Sequence, residues 1–243
     1  MSKESEHQVA FEWGSRGLIH LLPQSDVIII VDVLSFSTCV DIAVSQGASV
    51  YPYRWKDDSA NTYAQKIEGY LAVVRNPLAQ FSLSPQSMFK LKASERIVLA
   101  SPNGAELSLL QSSIPVYTAC LRNAASVAQG VREMYGRIGI VAAGERWEDN
   151  SLRPAIEDFL GAGAVIHSLS GFLSPEAEMA KNAFTSSREN LFEILFNSIS
   201  GRELIERGYE EDVRIASELN ISNSVPQLTE KNCFKNKALI FPQ

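Results

Sequence analysis

The run Val27–Val31 constrains this chain more than any other segment. It is five consecutive apolar residues between polar neighbours, with Asp32 closing it. An apolar stretch this short reads as a buried strand of a parallel sheet covered on both faces. Asp32 then stands at the strand's carboxyl end, where open α/β sheets bind their ligands. Ser37 and Thr38 precede an apolar-periodic stretch that runs to Gln46. Hydroxyls and the free N–H groups of a helix start therefore fall beside the carboxylate, a corner that suits a phosphate, a metal or both.

Short strand-like runs at 49–53, 70–74, 96–100, 116–119, 138–142 and 165–169 alternate with helical patterns at 103–110, 123–134, 152–160, 175–198 and 201–219. The 175–198 pattern carries a break near Thr185. Alternation of this kind predicts an α/β fold, layered α/β/α, with a mainly parallel sheet that can admit antiparallel members. The whole length, 1–243, reads as a single domain or as two intimately packed α/β halves. The stretch 77–91, with Pro77, Ser82, Ser84, Pro85 and Ser87, reads as an irregular loop, either a lid or a long connection.

A net charge of −6 without a Lys/Arg block argues against a nucleic-acid surface, so any phosphate bound here belongs to a small molecule. Residues 1–13 are polar, and no apolar run is long enough to span a bilayer, which places the chain in the cytoplasm and off the membrane. Cys39, Cys120 and Cys233 are odd in number and unrelated in spacing, hence free thiols. His7, His20 and His167 have no spacing that suggests a metal site or a catalytic triad. A homodimer is compatible with the sequence, which does not fix the oligomeric state.

The chemistry comes from adding up the strand ends. Asp32 and Ser35 follow the first run; Ser101, Pro102, Asn103 and Gly104 follow the run ending at Ala100; Arg122 and Asn123 follow Ala119; Glu145, Arg146, Glu148 and Asp149 follow Ala142. If the strands are parallel, these loops share one edge, where carboxylates for a divalent cation meet amides, hydroxyls and two arginines for an anion. Ser37, Asn103 and Asn123 taken singly read as helix caps. Asp32 is harder to dismiss, because a buried carboxylate costs several kcal/mol, on the order of the penalty for a buried ion, unless paired or metal-bound. Glu157 and Asp158 fall on opposite sides of a helix and read as solvated charges. Gly161 and Gly163 precede the run at 165–169 and lack a third glycine, which argues against a nicotinamide cofactor; no phosphate-binding Gly-Lys loop or Gly-x-Ser-x-Gly turn is present.

Val-Asp-Val-Leu-Ser-Phe-Ser-Thr at 31–38, Gln-Gly-Ala at 46–48, Ser-Pro-Asn-Gly at 101–104 and Leu-Arg-Asn-Ala at 121–124 together resemble the 2-phosphosulfolactate phosphatase (ComB-like) family. The resemblance continues through Ala-Gly-Glu at 143–145, the segment 156–164 and a tail from Ser-Gly-Arg-Glu-Leu to Glu-Glu-Asp, and covers about 11–228. It implies a magnesium-dependent hydrolase of a small phosphorylated 2-hydroxy acid. By position, Asp32, Ser37, Thr38, Asn103, Gly104 and Asn123 match the family pattern, and Glu157 with Asp158 matches its Glu-Asp pair. The expected site then has Mg²⁺ held by Asp32 with one or more of Glu145, Glu157 and Asp158. Asp32, Glu145 and Asp158 are the catalytic carboxylates, and Ser35, Ser37, Thr38, Asn103, Gly104, Arg122, Asn123 and Arg146 are the substrate-binding residues. Three positions depart from the pattern: Ser35 replaces an arginine, Ala105 a threonine, and Leu83 an asparagine. Altered substrate choice, or a protein that binds a phosphorylated or carboxylated metabolite without turning it over, would follow.

Overall fold

The computed structural model describes residues 8–54, 57–76, 78–110 and 113–237. In chain order its strands are β1 (Val9–Trp13), β2 (Val27–Val31), β3 (Ser49–Tyr53), β4 (Tyr70–Ala72), β5 (Arg96–Ala100), β6 (Val116–Ala119), β7 (Ile138–Ala142), β8 (Glu145–Arg146), β9 (Leu152–Arg153), β10 (Pro226–Leu228) and β11 (Phe234–Asn236). The helices are α1 (Gly14–Leu21), α2 (Phe36–Ser45), α3 (Asp58–Lys66), α4 (Pro85–Met88), α5 (Gly104–Leu109), α6 (Ala124–Arg132), α7 (Ile156–His167), α8 (Pro175–Ser187), α9 (Leu191–Asn197), α10 (Ile199–Glu206) and α11 (Glu210–Ser217).

Nine strands form one sheet in the order β1-β7-β2-β6-β10-β11-β3-β5-β4, flanked by helices, and β8 pairs with β9 as a separate hairpin. The α/β class with a mainly parallel sheet is as the sequence predicts. β1, β7, β2 and β6 are mutually parallel, as are β3, β5 and β4. Between the two blocks, β6–β10, β10–β11 and β11–β3 all pair antiparallel. Three reversals in succession make β3, β5 and β4 run opposite to the first block, so the strand-end loops do not share one edge of a uniformly parallel sheet. Twist of about 20–25° per strand accumulates between β2 and β5 and reduces that opposition. The short helix α5, which leaves β5, packs on both β3 and β2 and carries its loop to Asp32.

β2 is buried along its whole length, as a strand covered on both faces must be. The largest apolar cluster gathers β1, β2, β6 and β7 with α6, α7 and α8, and a second joins α2 to β3, β5 and β11. Among the described residues, no helix is long and apolar enough to cross a membrane. The three cysteines are free and buried.

Several elements differ from expectation. The run at 165–169 is no strand: residues 156–167 form α7, nearly all of it buried. A helix apolar all round cannot be told from a strand by periodicity. Its glycines serve close packing, since a Cβ on Gly163 would lie 2.2 Å from the Ala180 carbonyl and one on Gly161 2.6 Å from Val33. The helix expected at 152–160 starts later, because Leu152 and Arg153 pair with β8. Strand β4 stops at Ala72, and Val73 only bridges to Ser82. The break in the 175–198 helix falls at Arg188–Asn190, and Gly208, at φ +83°, divides the 201–219 pattern into α10 and α11. β1, β10 and β11 carried no strand expectation. Residues 1–7, His7 among them, and Pro77 lie outside the described residues.

Candidate active site

Asp32 follows β2 directly and is buried. Its Oδ1 accepts the N–H of Phe36 at 3.2 Å, and its Oδ2 accepts the N–H of Gly104 at 2.8 Å. The free amides of two helix starts thus converge on one carboxylate, placing partial positive charge against it. Glycine is required at 104, because a Cβ there would lie 2.4 Å from the Phe36 ring and 2.7 Å from Asp32 Oδ2. Ser37 and Thr38 are spent inside the fold. Ser37 Oγ accepts the Asp32 N–H and meets Thr118 Oγ1 at 2.6 Å, while Thr38 Oγ1 donates to the Val33 carbonyl.

Glu145 opens the β8–β9 hairpin opposite Arg153. Asn103 does not cap α5; its Nδ2 donates to Glu145 Oε2 at 2.9 Å. Asp158, in the first turn of α7, accepts the Val33 N–H at 2.7 Å on one oxygen and the Gly144 N–H at 2.8 Å on the other. It therefore braces the β2 and β7 loops. Glu157 beside it is also buried and is hydrogen-bonded by Ser200. The solvated reading of this pair is corrected: the neighbouring chain covers both sides of the first turn of α7.

Burial pushes Asp32 up to about 6, against the pull of the Gly104 and Phe36 amides. Glu145 rises to about 7, by burial first and by the charge of Asp32 second. Asp158 is raised well above the usual carboxylate range by burial, then by Asp32 and Glu157; Glu157 is raised by burial too. Four acids share one neighbourhood and repel one another, the arrangement that a cation relieves.

A cavity of about 120 Å³ opens on this group, lined by Asp32 and Glu145 together with Ser35, Arg75, Leu83 and Asn103 among others. A larger one of about 460 Å³ shares Pro102, Asn103 and Glu145 with it and adds Arg16 and Arg146. Ser35 and Leu83, two of the three departures from the family pattern, both face the small cavity; Ala105 is buried in α5. Arg75 was not anticipated. It follows β4, its Nε meets Asp212 Oδ2 at 2.8 Å, and its Nη2 donates to Ser35 Oγ. No local sequence signal marks it, because its partner Asp212 lies 137 positions away.

Two expected anion binders are placed elsewhere. Arg122 is buried, with Nε on Asp41 Oδ2 at 2.9 Å and Nη1 on Glu218, while Asp41 also accepts the hydroxyls of Ser222 and Ser224. Asn123 accepts the Cys120 N–H and donates to Ser224. Arg122 ties the C-terminal segment to α2 and Asn123 ties it to the residue after β6, and neither lines either cavity. Arg146 pairs with Glu106 at 2.8 Å on the larger cavity. Neither His20 nor His167 lines either cavity.

Among the described residues, no group of three or more His, Cys, Asp or Glu side chains is placed to hold a metal together. Two carboxylates, Asp32 and Glu145, line the cavity, and the amides on Asp32 leave each of its oxygens a lone pair. That donor set fits a hard cation such as Mg²⁺, which takes one or two carboxylates and completes its shell with water and substrate phosphate. It does not fit a cage of four protein carboxylates, because neither Glu157 nor Asp158 lines the cavity.

The family model described as 2-phosphosulpholactate phosphatase matches residues 18–231. A probable 2-phosphosulfolactate phosphatase of Pseudothermotoga lettingae is 27% identical over 87% of this chain and 93% of its own. The 2-phosphosulfolactate phosphatase of Methanothermobacter thermautotrophicus is 28% identical over 83% and 86%, and that of Methanocaldococcus jannaschii 26% over 79% and 84%.

Proposed function

The chain belongs to the 2-phosphosulfolactate phosphatase family of phosphoric monoester hydrolases, and from that membership and the Asp32 cavity we propose that it is a Mg²⁺-dependent phosphatase acting on a small phosphorylated 2-hydroxy acid in the cytoplasm. The observation that carries this reading is the convergence of the Phe36 and Gly104 amides on a buried carboxylate that shares a cavity with a second one, Glu145.

Asp32 would hold the cation. Bound there, Mg²⁺ would neutralise phosphate oxygens and lower the pKa of a water. Asn103 turns Glu145 by its Oε2, and Oε1 has no hydrogen-bond partner among the described residues. A carboxyl near 7 is matched to neutral pH, so Glu145 takes the proton of the attacking water as the bond from phosphorus to the ester oxygen breaks, and the leaving alkoxide takes its proton from solvent. Asp158 positions both loops without touching the cavity. The larger cavity admits the ester from the side of Arg16 and Arg146.

The test is release of inorganic phosphate from 2-phosphosulfolactate and from phosphorylated lactate, malate and glycerate, with Mg²⁺ and with EDTA. Turnover that needs Mg²⁺ is expected. Turnover unchanged by exhaustive chelation overturns the metal. No release from any ester, with tight binding of one of them, would favour a protein that binds such a metabolite without hydrolysing it.

A further inference from the structure

Arg75 is the feature of the small cavity that hydrolysis at Asp32 leaves unused. The side chain is 12% exposed and fixed at two points, Nε on Asp212 and Nη2 on Ser35, with the Tyr209 ring 5.7 Å from its centre. Asp212 is itself buried and accepts Ser84 Oγ on its other oxygen. Among the described residues, Nη1 of Arg75 has no partner. With Nε on Asp212 and Nη2 on Ser35, the N–H groups of Nη1 remain, charged donors on a residue that lines the cavity and the kind that bind an oxyanion. An arginine held by a buried acid on one edge and unsatisfied on the other is set for a ligand. A side chain kept only for stability has no need of that free end.

We propose, on the basis of the phosphatase reading above, that Arg75 is the specificity-determining residue of this cavity and binds the carboxylate or sulfonate of the substrate, the acid group that is not transferred. The phosphoryl group belongs against Asp32 and Glu145, whose charge calls for a cation between them and the phosphate. Arg75 enters beside Ser35 and Leu83, so it meets the remainder of a short substrate. Serine at 35 suits this role. Its hydroxyl holds Nη2 and leaves room for an anion, and Arg75, anchored by Asp212 of α11, brings the positive charge from the loop after β4.

Removing Arg75 alone strands Asp212, so the variants are Arg75→Met with Asp212→Asn, and Arg75→Lys. Two esters are compared by kcat/KM: 2-phospholactate and isopropyl phosphate, which differ only in the carboxylate. The wild type is expected to favour the acid-bearing ester, and the double variant to lose roughly 10- to 100-fold of that preference, the size of one charge-assisted contact. Arg75→Lys should retain part of it. A preference unchanged in the double variant, with both esters slowed in proportion, would assign Arg75 to the phosphate or to stability and overturn the proposal, as would a wild type with no preference. If no ester is hydrolysed, the phosphatase reading fails by itself, and calorimetry with 3-sulfolactate decides this one. Binding weakened at least tenfold in the double variant supports it, and equal binding overturns it.

Discussion

Asn103 donates its side-chain amide to Glu145 Oε2 at 2.9 Å, and in doing so ties together the loops that follow β5 and β7, strands of two blocks running in opposite senses. A position that the sequence alone marks as a helix cap is in fact the link that closes the cavity. The same α5 entrance gives the Gly104 amide to Asp32, so one turn of chain positions both carboxylates that line the site.

The Asn103 amide lowers the Glu145 carboxyl against burial and the charge of Asp32. In Asn103→Ala that stabilisation of the ionised form is lost. Glu145 should then lose its proton above 7, and the acid limb of the kcat profile should move to higher pH with a fall in kcat of roughly tenfold at neutrality. An acid limb that stays where it was would remove Glu145 from proton transfer.

Asp32→Asn keeps the shape and removes the charge. Phosphatase activity should drop by roughly a hundredfold or more, since electrostatic stabilisation of the transition state is usually the largest single catalytic effect. The fold should persist, because the amide oxygen still accepts one of the two N–H groups and a buried charge has gone. Wild-type turnover in this variant would dismiss the site.

Arg122, expected on sequence to bind substrate, makes a sharply different prediction in the structure. Arg122→Met leaves Asp41 buried without its cation, and breaking such a pair costs about 3–5 kcal/mol. Thermal melting should fall, and KM for the ester should stay unchanged at temperatures where the variant is folded. A large rise in KM with normal stability would return Arg122 to the substrate.

What could be read from the residues divides along physical lines. The placement of Asp32 and Glu145 just past strand ends, and of Gly104 at the start of the helix after β5, was legible because the apolar runs of those strands are unambiguous. The strand β2 with its helix α2 and the whole of β3, β5, β6 and β7 follow from the same local pattern. Arg75 was not legible: it lies in a loop, and its partner Asp212 is 137 residues away, so no local spacing joins them. The reversal between the two blocks was hidden for a like reason, since β10 and β11 are three residues each and pair with β6 and β3 through single positions. Helix α7 misled because glycine and β-branched residues in a largely buried element look the same in either conformation. The hydroxyls of Ser37 and Thr38 misled because a helix start offers them to a ligand or to the preceding strand end, and sequence does not say which.

The raised carboxyls bear on stability as well as on chemistry. Asp32 at about 6 and Glu145 at about 7 both sit above the ordinary carboxylate range, so the native state binds protons more tightly than the unfolded chain. Stability from these groups is fully present below their unfolded values and is lost as pH rises through the folded ones. Without a cation, melting temperature should therefore decline as pH climbs from about 4 to 7, the window these shifts define. Asp26, held low by its hydrogen bonds from Arg137, acts in the opposite sense and only at more acid pH, so it leaves that window clear. On the proposed reading, Mg²⁺ would bind the ionised form of the native state alone, and its stabilisation would grow with the logarithm of its concentration. The gap in melting temperature between Mg²⁺ and EDTA samples should be small at pH 5 and widen steadily to pH 8. Parallel curves, with the gap constant or absent, would show that Asp32 and Glu145 do not repel each other in the free protein and that Asp32 holds no cation in the loaded one.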